Sequence, residues 1–470
     1  MSLTLTLQNA VSGLKVNQGL LDIAANNIAN SAVEGYSRKA ALTENRVIQG
    51  RSSGVNLTTV RREVNESLIR EVRRESSLLG ESIVNGQFTA RIENLFGTPE
   101  SDTAISSVVG RLGSALEALS VAPEDFARRT AAIQAAQQVA GRLNTMATGI
   151  QDLRAVADAD IDDAIDTINA ALERVAELNK EIIKNTNIGL ATGDLEDARD
   201  VSLASIGEYV DINTFQRDDG AIVVLNSVGR LMADTIAVAL SYTPASSVSI
   251  GTPFVPITLG GVSINSEINS GRLSALLDQR DRTLPELSHE LGELSMEMAT
   301  RLVDGGARSL FVFSSSGTTT PAAGDDPARV FTVNTGATGL GNAANLDDFV
   351  VADADYVGRT LANRFLLTNI AFDPTCFFPG STGLVATTGF TGYAGAILSK
   401  QATAAALVNS DRSYRELFVS NLKAQAADES GVNIDEELAN LVVYQNAYSA
   451  SARAIQVADE LLQTLNDIIR

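Results

Sequence analysis

The sequence contains no tryptophan, one cysteine (Cys376) and one histidine (His289). A single cysteine excludes an intramolecular disulfide framework and a multi-cysteine metal cluster within one chain. With only 5% aromatic residues, a large core must consist mostly of Ala, Leu, Ile and Val. This composition favours close-packed helices over aromatic-lined ligand pockets. No apolar run reaches about 18 residues, so the sequence predicts no membrane-spanning helix.

Basic residues are also scarce, because 36 lysines and arginines stand against 57 acidic side chains. The resulting net charge of −21 argues against affinity for nucleic-acid phosphates or for an anionic membrane surface. The first residues lack a basic segment followed by a long apolar stretch, so we expect no general secretory signal. A chain of 470 residues can bury a large core and should form about three domains.

Residues suited to catalysis or metal binding are few. His289 lies within a helical pattern, and we interpret it as an ordinary helix residue. Cys376 lies between two prolines without a basic neighbour that would lower its thiol pKa. Asp158, Asp160 and Asp162 resemble the start of a calcium loop, but the required glycine is missing, so we expect them on the solvated face of a helix. The sequence predicts no catalytic residue, no cofactor and no metal site.

Prolines are absent from both ends of the chain, since all ten lie between Pro99 and Pro379. Glycine is absent too after Gly431. Proline is the residue that most strongly interrupts helices, and glycine also weakens them. Both ends are therefore predicted to form long helices.

Both terminal segments carry apolar residues at seven-residue spacing, which is typical of a coiled coil. Their pairing would close a very long loop, but the entropic cost of loop closure grows slowly with length. Ordinary amphipathic helices of a monomeric bundle are the alternative. The predicted assembly interface consists of Leu7, Val11, Leu14, Leu21, Ile28, Leu441, Tyr448, Ile455, Leu462 and Ile469.

The middle of the chain divides into helical and strand-like stretches. Residues 60–96 form a helical pattern in which arginines alternate with glutamates, predicting a solvated ion-pair face. Apolar residues at three-four spacing predict a long helix over 130–184. After Tyr209 the period changes to two around a turn at Asp219-Gly220, which predicts a β-hairpin.

Further strand-like runs cover residues 236–242 and 254–264. Helical spacing returns over residues 273–298, where Pro285 should kink or restart the helix. Residues 310–390 are rich in Gly, Thr, Ser and Asp and predict an irregular or β-rich insertion.

These patterns predict a mainly α fold with β insertions, in which a terminal-helix coiled coil joins a long helical bundle. The expected domains are a terminal coiled-coil assembly domain of residues 1–60 with 428–470, a helical bundle domain of 61–208 with 265–309 and 391–427, a hairpin-containing insertion of 209–264, and an outer insertion domain of 310–390.

The N-terminal segment contains AANNIAN at 24–30, followed by GYSR at 35–38. With these motifs it resembles the opening of the axial proteins of the bacterial flagellum. Asparagine side chains can hydrogen-bond backbone groups freed where a helix ends, and Gly35 permits a turn into an extended stretch. The residues that carry the motif are Asn26, Asn27, Asn30, Gly35, Tyr36 and Arg38.

The C-terminal segment of residues 430–468 resembles the end of the hook-associated protein 1 family, which forms the hook–filament junction. The shared features are an acidic start at 435–437, a Tyr-Gln to Ala-Tyr step at 444–448 and an Ala-Arg-x-Ile-Gln helix at 452–456. The stretches LEDARD at 195–200 and LLDQRD at 276–281 are also similar to that family.

This resemblance implies a structural component of the flagellum that assembles into a ring and connects the hook to the filament. The implied partners are further copies of the chain, the hook protein, the second junction protein (hook-associated protein 3), an export chaperone at the C-terminal helix, and the flagellar type III export apparatus. The implied location is extracellular, after transient residence in the cytoplasm. Another axial protein, such as hook protein or flagellin, and an enzyme on a helical scaffold are the alternatives.

Overall fold

The structure is a computed structural model that describes residues 3–48, 51–98, 101–303, 308–336, 339–342, 384 and 389–469. Long helices dominate these residues, with short antiparallel sheets between them. The expectation of a mainly α fold with β insertions is confirmed. No helix among the described residues is long and apolar enough to cross a lipid bilayer.

The two ends of the chain lie together in what we call the terminal unit. It consists of helix α1 (Leu3–Asn30), strands β1 (Lys39–Ile48) and β2 (Arg51–Arg62), and the last helix, α10 (Ile434–Ile469). Strands β1 and β2 form an antiparallel hairpin whose register pairs Lys39 with Arg62. The sequence predicted an extended stretch after Gly35 but not this hairpin.

The rest of the described chain forms the body, which is built around one very long helix. That helix, α4 (Phe126–Asn187), spans 62 residues and confirms the prediction for 130–184. The other body helices are α2 (Glu66–Phe96), α3 (Ile105–Val121), α5 (Gly193–Tyr209), α6 (Gly271–Asp278), α7 (Leu284–Arg301), α8 (Pro327–Val330) and α9 (Phe390–Ser430).

Short strands follow α5, as the change of period predicted. Strand β3 (Ile212–Gln216) pairs antiparallel with β4 (Ile222–Asn226), and Gly220 in their turn has a φ of 85°. The other strands are β5 (Leu231–Ala233), β6 (Leu240–Ser241), β7 (Thr258–Leu259), β8 (Val262–Ser263), β9 (Phe311–Phe313) and β10 (Phe331–Val333). Most of the predicted outer insertion, including Cys376, lies outside the described residues.

An α-helix restarts at Pro285, as the sequence predicted. A π-helical turn, Gln279–Thr283, follows α6, and α7 then begins with Pro285 in its first turn. The backbone stays helical through the π turn, where the Leu284 N–H donates to the Gln279 carbonyl, so Pro285 lies where the α-helical hydrogen-bond pattern is already interrupted. The π turn also directs Arg280 into the core, where its side chain is 1% exposed.

The prediction for the aspartates of α4 is wrong for Asp158. Its carboxylate is 2% exposed and accepts a hydrogen bond from Arg280 Nη1 at 2.9 Å, while the Tyr242 hydroxyl donates to the same oxygen. Phe254 lies 4.1 Å from the Arg280 guanidinium, measured to the ring centroid. A buried ion pair therefore joins α4, the π turn and the strand region.

The predicted helix over 60–96 begins later than expected, and its arginines do not all form ion pairs. Residues up to Arg62 belong to β2, and α2 starts after Asn65, whose side chain accepts hydrogen bonds from the first helical N–H groups. Among the described residues, Arg70, Arg73 and Arg74 make no ion pair, and Arg73 is buried. The expectation of a solvated ion-pair face is wrong for these three residues.

Candidate assembly interface

Helices α1 and α10 lie side by side and run antiparallel. Gly13 lies opposite Ser451, and a Cβ atom on Gly13 would be 3.2 Å from the Ser451 hydroxyl oxygen. Thr6, nearer the start of α1, lines a cleft with Leu461, nearer the end of α10. Small side chains at the crossing let the two backbones approach closely.

The residues predicted on α1 lie along this pair but are only partly covered. Leu7, Leu14, Leu21 and Ile28 are half-buried, and Val11 is 38% exposed. Among the described side chains of α1, the buried ones are instead Val16, Ala24 and Asn27. Helix α1 is shared between two neighbours, which a single heptad stripe does not anticipate.

The second neighbour of α1 is the β1–β2 hairpin. Ser12 Oγ accepts a hydrogen bond from Val55 N at 3.2 Å, and a Cβ atom on Gly19 would lie 3.1 Å from Leu57. Gly54 has a φ of 102°, and a side chain there would collide with Ser12. The hairpin therefore lies directly against α1.

The residues predicted on α10 are also partly covered. Leu441, Tyr448 and Ile455 are half-buried, whereas Leu462 is 39% exposed. Ile469 is the last residue of α10, and its side chain lies outside the described part of the chain. A single copy of the chain thus leaves much of the predicted interface accessible.

A further apolar surface lies on α10, outside the predicted set of residues. Its side chains are large, aliphatic and between 46% and 60% exposed. A group of exposed apolar side chains of this size is typical of a protein–protein contact. The residues are Ile434, Leu438, Val442, Val443, Val457 and Leu461.

The asparagine motif fixes the turn between α1 and the hairpin. Asn27 is buried, donates to the Lys39 carbonyl and accepts from the Lys39 N–H, both at 3.0 Å. It also accepts from the Tyr36 hydroxyl at 2.9 Å. Gly35 has a φ of 80°, and a Cβ atom there would be 2.4 Å from Val201. Gly35 thus lies in the turn that leads to the extended stretch, whereas Asn27 bonds the first residue of β1 and not the backbone groups at the helix end.

Arg38 joins the two ends of the chain. Its guanidinium contacts Glu63 at 2.9 Å, Glu436 at 3.0 Å and Glu437 at 2.7 Å. Its backbone N–H donates to the Ser430 carbonyl at 2.8 Å. The hydrogen bond to Glu437 raises the pKa of Arg38 above its ordinary value, so the arginine stays charged. This contact sets the position at which α10 begins beside the hairpin.

Asp197 joins the terminal unit to the body, and we call its contacts the Asp197 cluster. The carboxylate accepts from the Ser37 hydroxyl at 2.6 Å and from the Ser37 N–H at 3.1 Å. It also contacts Lys39 and, at 3.4 Å, Arg62. Asp197, Lys39 and Arg62 all have side chains less than 10% exposed. Sequence reasoning missed this cluster, although Asp197 lies in the LEDARD stretch.

The remaining motif residues lie close to this turn. Asn30 donates to the Asn26 carbonyl at 2.9 Å and so stays within α1. Asn26, Asn30 and Tyr36 line a cleft of about 580 Å³ between α1 and α5. Among the described residues no group of histidine, cysteine and acidic side chains could hold a metal ion. The interface is thus built for packing and ion pairing.

Three protein-family models match the chain. Residues 89–304 match the flagellar hook-associated protein FlgK helical domain, residues 7–36 match the flagella basal body rod protein, and residues 423–468 match the flagellar basal body rod FlgEFG protein C-terminal domain. The two shorter matches fall on α1 and α10, which pair in the structure.

Characterised relatives extend over nearly the whole chain. Flagellar hook-associated protein 1 of Escherichia coli is 23% identical, with 98% of this chain and 99% of that protein covered. The protein of the same name from Bacillus subtilis is 22% identical, with 97% and 96% covered. Over nearly its whole length the chain is therefore similar to flagellar hook-associated protein 1.

A solved structure has a similar fold. The flagellar hook junction protein FlgK from Burkholderia pseudomallei matches with a TM-score of 0.58 and 13% identity, covering 76% of this chain and 99% of that one. At this identity the likeness speaks for the fold alone.

Proposed function

We propose that this chain is a structural subunit of the bacterial flagellum that assembles with further copies of itself at the hook–filament junction. The observation that carries the proposal is the paired α1 and α10, which leave apolar side chains exposed in a chain similar to flagellar hook-associated protein 1. Exposed apolar surface is stabilised when a partner covers it. The role requires no catalytic group, and we propose that the chain is not an enzyme.

The proposed partners follow from this position in the flagellum. The chain contacts the hook protein on one side and the second junction protein, hook-associated protein 3, on the other. Before assembly it passes through the flagellar type III export apparatus, with a chaperone bound to the C-terminal helix. The exposed face of α10 supports the chaperone proposal, because an apolar helix face requires cover before assembly.

The proposed division into domains follows the contacts. The terminal unit corresponds to the assembly domain of residues 1–60 with 428–470, and it meets the body through the Asp197 cluster. The helical bundle, the hairpin-containing insertion and the outer insertion of 310–390 make up the remainder. Most of that outer insertion lies outside the described residues.

Single charges placed on the interface test the proposal. We expect Leu14→Asp and Ile455→Asp to block incorporation into flagella while the body stays folded, because a carboxylate cannot be buried there without a large desolvation cost. The measurement is motility and flagellar composition of cells that lack their own junction protein and carry each variant.

Val228→Asp provides a matched control, because Val228 is an exposed valine in the turn after β4, far along the chain from both terminal helices. This variant should assemble normally. Normal junctions in both interface variants would contradict the assigned interface, and failure of the unmodified chain to restore motility would contradict the proposed function.

A further inference from the structure

Three arginines of α2 line a cleft that has no role in the interface described above. Arg70, Arg73 and Arg74 form one wall, and residues at the end of α5 and the start of β3 form the other, including Gly207 and Thr214. The cleft has a volume of about 340 Å³. We call it the arginine cleft.

Arg73 is buried without a carboxylate partner. Its side chain packs so closely on α5 that a Cβ atom on Gly207 would lie 2.3 Å from Arg73 Cγ. Nη1 donates to the Thr214 hydroxyl at 3.3 Å, but the buried Nε has no hydrogen-bond partner. Burial lowers the pKa of the Arg73 guanidinium. A buried charge is costly unless it is paired, so this cleft favours an added anion.

The two neighbouring arginines, Arg70 and Arg74, also lack a carboxylate partner among the described residues. Arg70 donates to the Ser67 hydroxyl at 3.1 Å, and neither Arg70 nor Arg74 makes an ion pair with any described residue. Arg62, one turn before α2, shows the contrast, because it contacts four carboxylates. Asp211 lines the cleft but makes no ion pair among the described residues. Three unpaired arginines are notable in a chain with a net charge of −21.

We propose that the arginine cleft binds carboxylates of a second copy of this chain. This inference rests on the self-assembly proposed above. Copies that each carry a charge of −21 repel one another, and a cationic cleft that meets acidic side chains reduces that repulsion at the contact. Guanidinium groups bind carboxylates through two parallel hydrogen bonds, so arginine suits this contact.

Helix α4 supplies a matching acidic row. Asp163 and Asp166 are exposed and make no ion pair with described residues. At a rise of about 1.5 Å per residue they lie roughly 4.5 Å apart along α4, and Arg70 and Arg74 lie roughly 6 Å apart along α2. The rows are therefore similar in length and opposite in charge, and we assign Asp163 and Asp166 as the carboxylates that enter the cleft.

Charge exchange between copies tests this assignment. We expect chains with Arg70→Glu and Arg74→Glu, and chains with Asp163→Arg and Asp166→Arg, each to associate about tenfold more weakly than the unmodified chain, because like charges meet at the contact. An equal mixture of the two variants should regain association, since each reversed cleft then meets a reversed row. Sedimentation velocity at low salt measures all three samples, and rising salt should weaken the unmodified contact.

Arg111→Glu with Lys423→Glu is the matched control, because both cations are exposed and lie outside the cleft. This variant should associate like the unmodified chain. Thermal unfolding of every variant shows whether the fold is retained, and the milder pair Arg70→Gln and Arg74→Gln should show a smaller loss in the same direction.

Two outcomes would overturn the inference. One is unchanged association of the Arg70→Glu, Arg74→Glu chain. The other is a mixture that stays weak while inorganic phosphate stabilises the unmodified chain more than that variant, which would make the ligand a free anion. The proposed function fails differently, because the unmodified chain would then not restore motility to cells without a junction protein.

Discussion

The buried carboxylate of Asp197 connects the terminal unit to the body. Asp197 binds the turn after α1 through Ser37 and binds the hairpin through Lys39 and Arg62. Because these side chains are less than 10% exposed, their interactions are poorly screened by water or salt. The Asp197 cluster is thus one of the contacts that hold the terminal unit on the body.

Asp197→Asn is expected to destabilise the protein by about 3 kcal/mol, because it leaves the buried Lys39 ammonium without its main partner. Thermal unfolding and the rate of proteolysis in residues 31–38 measure the effect. Asp194→Asn is the matched control: Asp194 contacts the same ammonium at 3.4 Å but is 85% exposed, so its loss should cost less than about 0.5 kcal/mol. Equal effects of the two substitutions would show that the Asp197 cluster has no special role.

Tyr36 should give the same turn a dependence on alkaline pH. Burial, together with Asp194, Asp197 and Glu437, raises the pKa of its phenol from 10.0 to about 12. The folded chain then holds this proton more tightly than the unfolded chain, so the stabilisation is complete below about pH 10 and is lost as the pH rises toward 12. Unfolding by urea at several alkaline pH values should show this decline. The decline should be smaller in Tyr36→Phe, and an identical pH profile would contradict the assignment.

The sequence predicted residues whose partners are local and missed those whose partners are distant. Gly35 acts within the turn after α1, and Asn27 bonds Lys39 only 12 residues further along the chain. Lys39 and Asp197 are 158 residues apart, and Asp158 and Arg280 are 122 apart. No spacing rule relates such pairs, and only the packing of β1 on α5 and of the π turn on α4 brings them together.

Elements whose apolar residues recur at a regular spacing were the most predictable. Helix α4 keeps its apolar residues at three-four spacing along most of its length, and the β3–β4 hairpin carries an Asp-Gly turn. The β1–β2 hairpin lacks such signals, because most side chains of β1 from Leu42 to Val47 are exposed whether polar or apolar. Its position comes from its contact with α1.

Gly54→Ala should separate the β1–β2 hairpin from α1. The residue has a φ of 102°, and its new Cβ atom would lie 2.1 Å from Ser12 Oγ, so both the backbone and the contact must change. We expect faster amide exchange in β2 and a loss of about 2 kcal/mol. Gly229→Ala is the control, since its φ of 90° imposes similar backbone strain but nothing lies within 4 Å of the added atom. A loss no larger than that of the control would contradict the proposed contact.

The whole molecule combines a well-packed body with a thinly packed terminal unit. The contiguous core of buried apolar side chains runs from Val84 to Leu398 among the described residues, and it includes no residue of α1, the β1–β2 hairpin or α10. Among the described side chains of the terminal unit, the buried apolar ones are Val16, Ala24 and Ala458. Few buried contacts mean a low free energy of local opening.

We therefore expect α1 and α10 of the isolated chain to open before the body. Hydrogen exchange followed by mass spectrometry should show amides of 3–30 and 434–464 exchanging faster than those of α4, because the terminal helices can separate without exposing the main core. Leu143→Ala, a substitution at a fully buried position of α4, should lower global stability by about 2–5 kcal/mol and leave exchange in the terminal helices unchanged. After assembly, the amides of α1 and α10 should exchange more slowly than those of α4, since neighbouring copies would cover the apolar face of α10. Equal protection of terminal helices and α4 in the monomer would mean that the terminal unit is already complete in one copy, and would remove the physical reason for its proposed role in assembly.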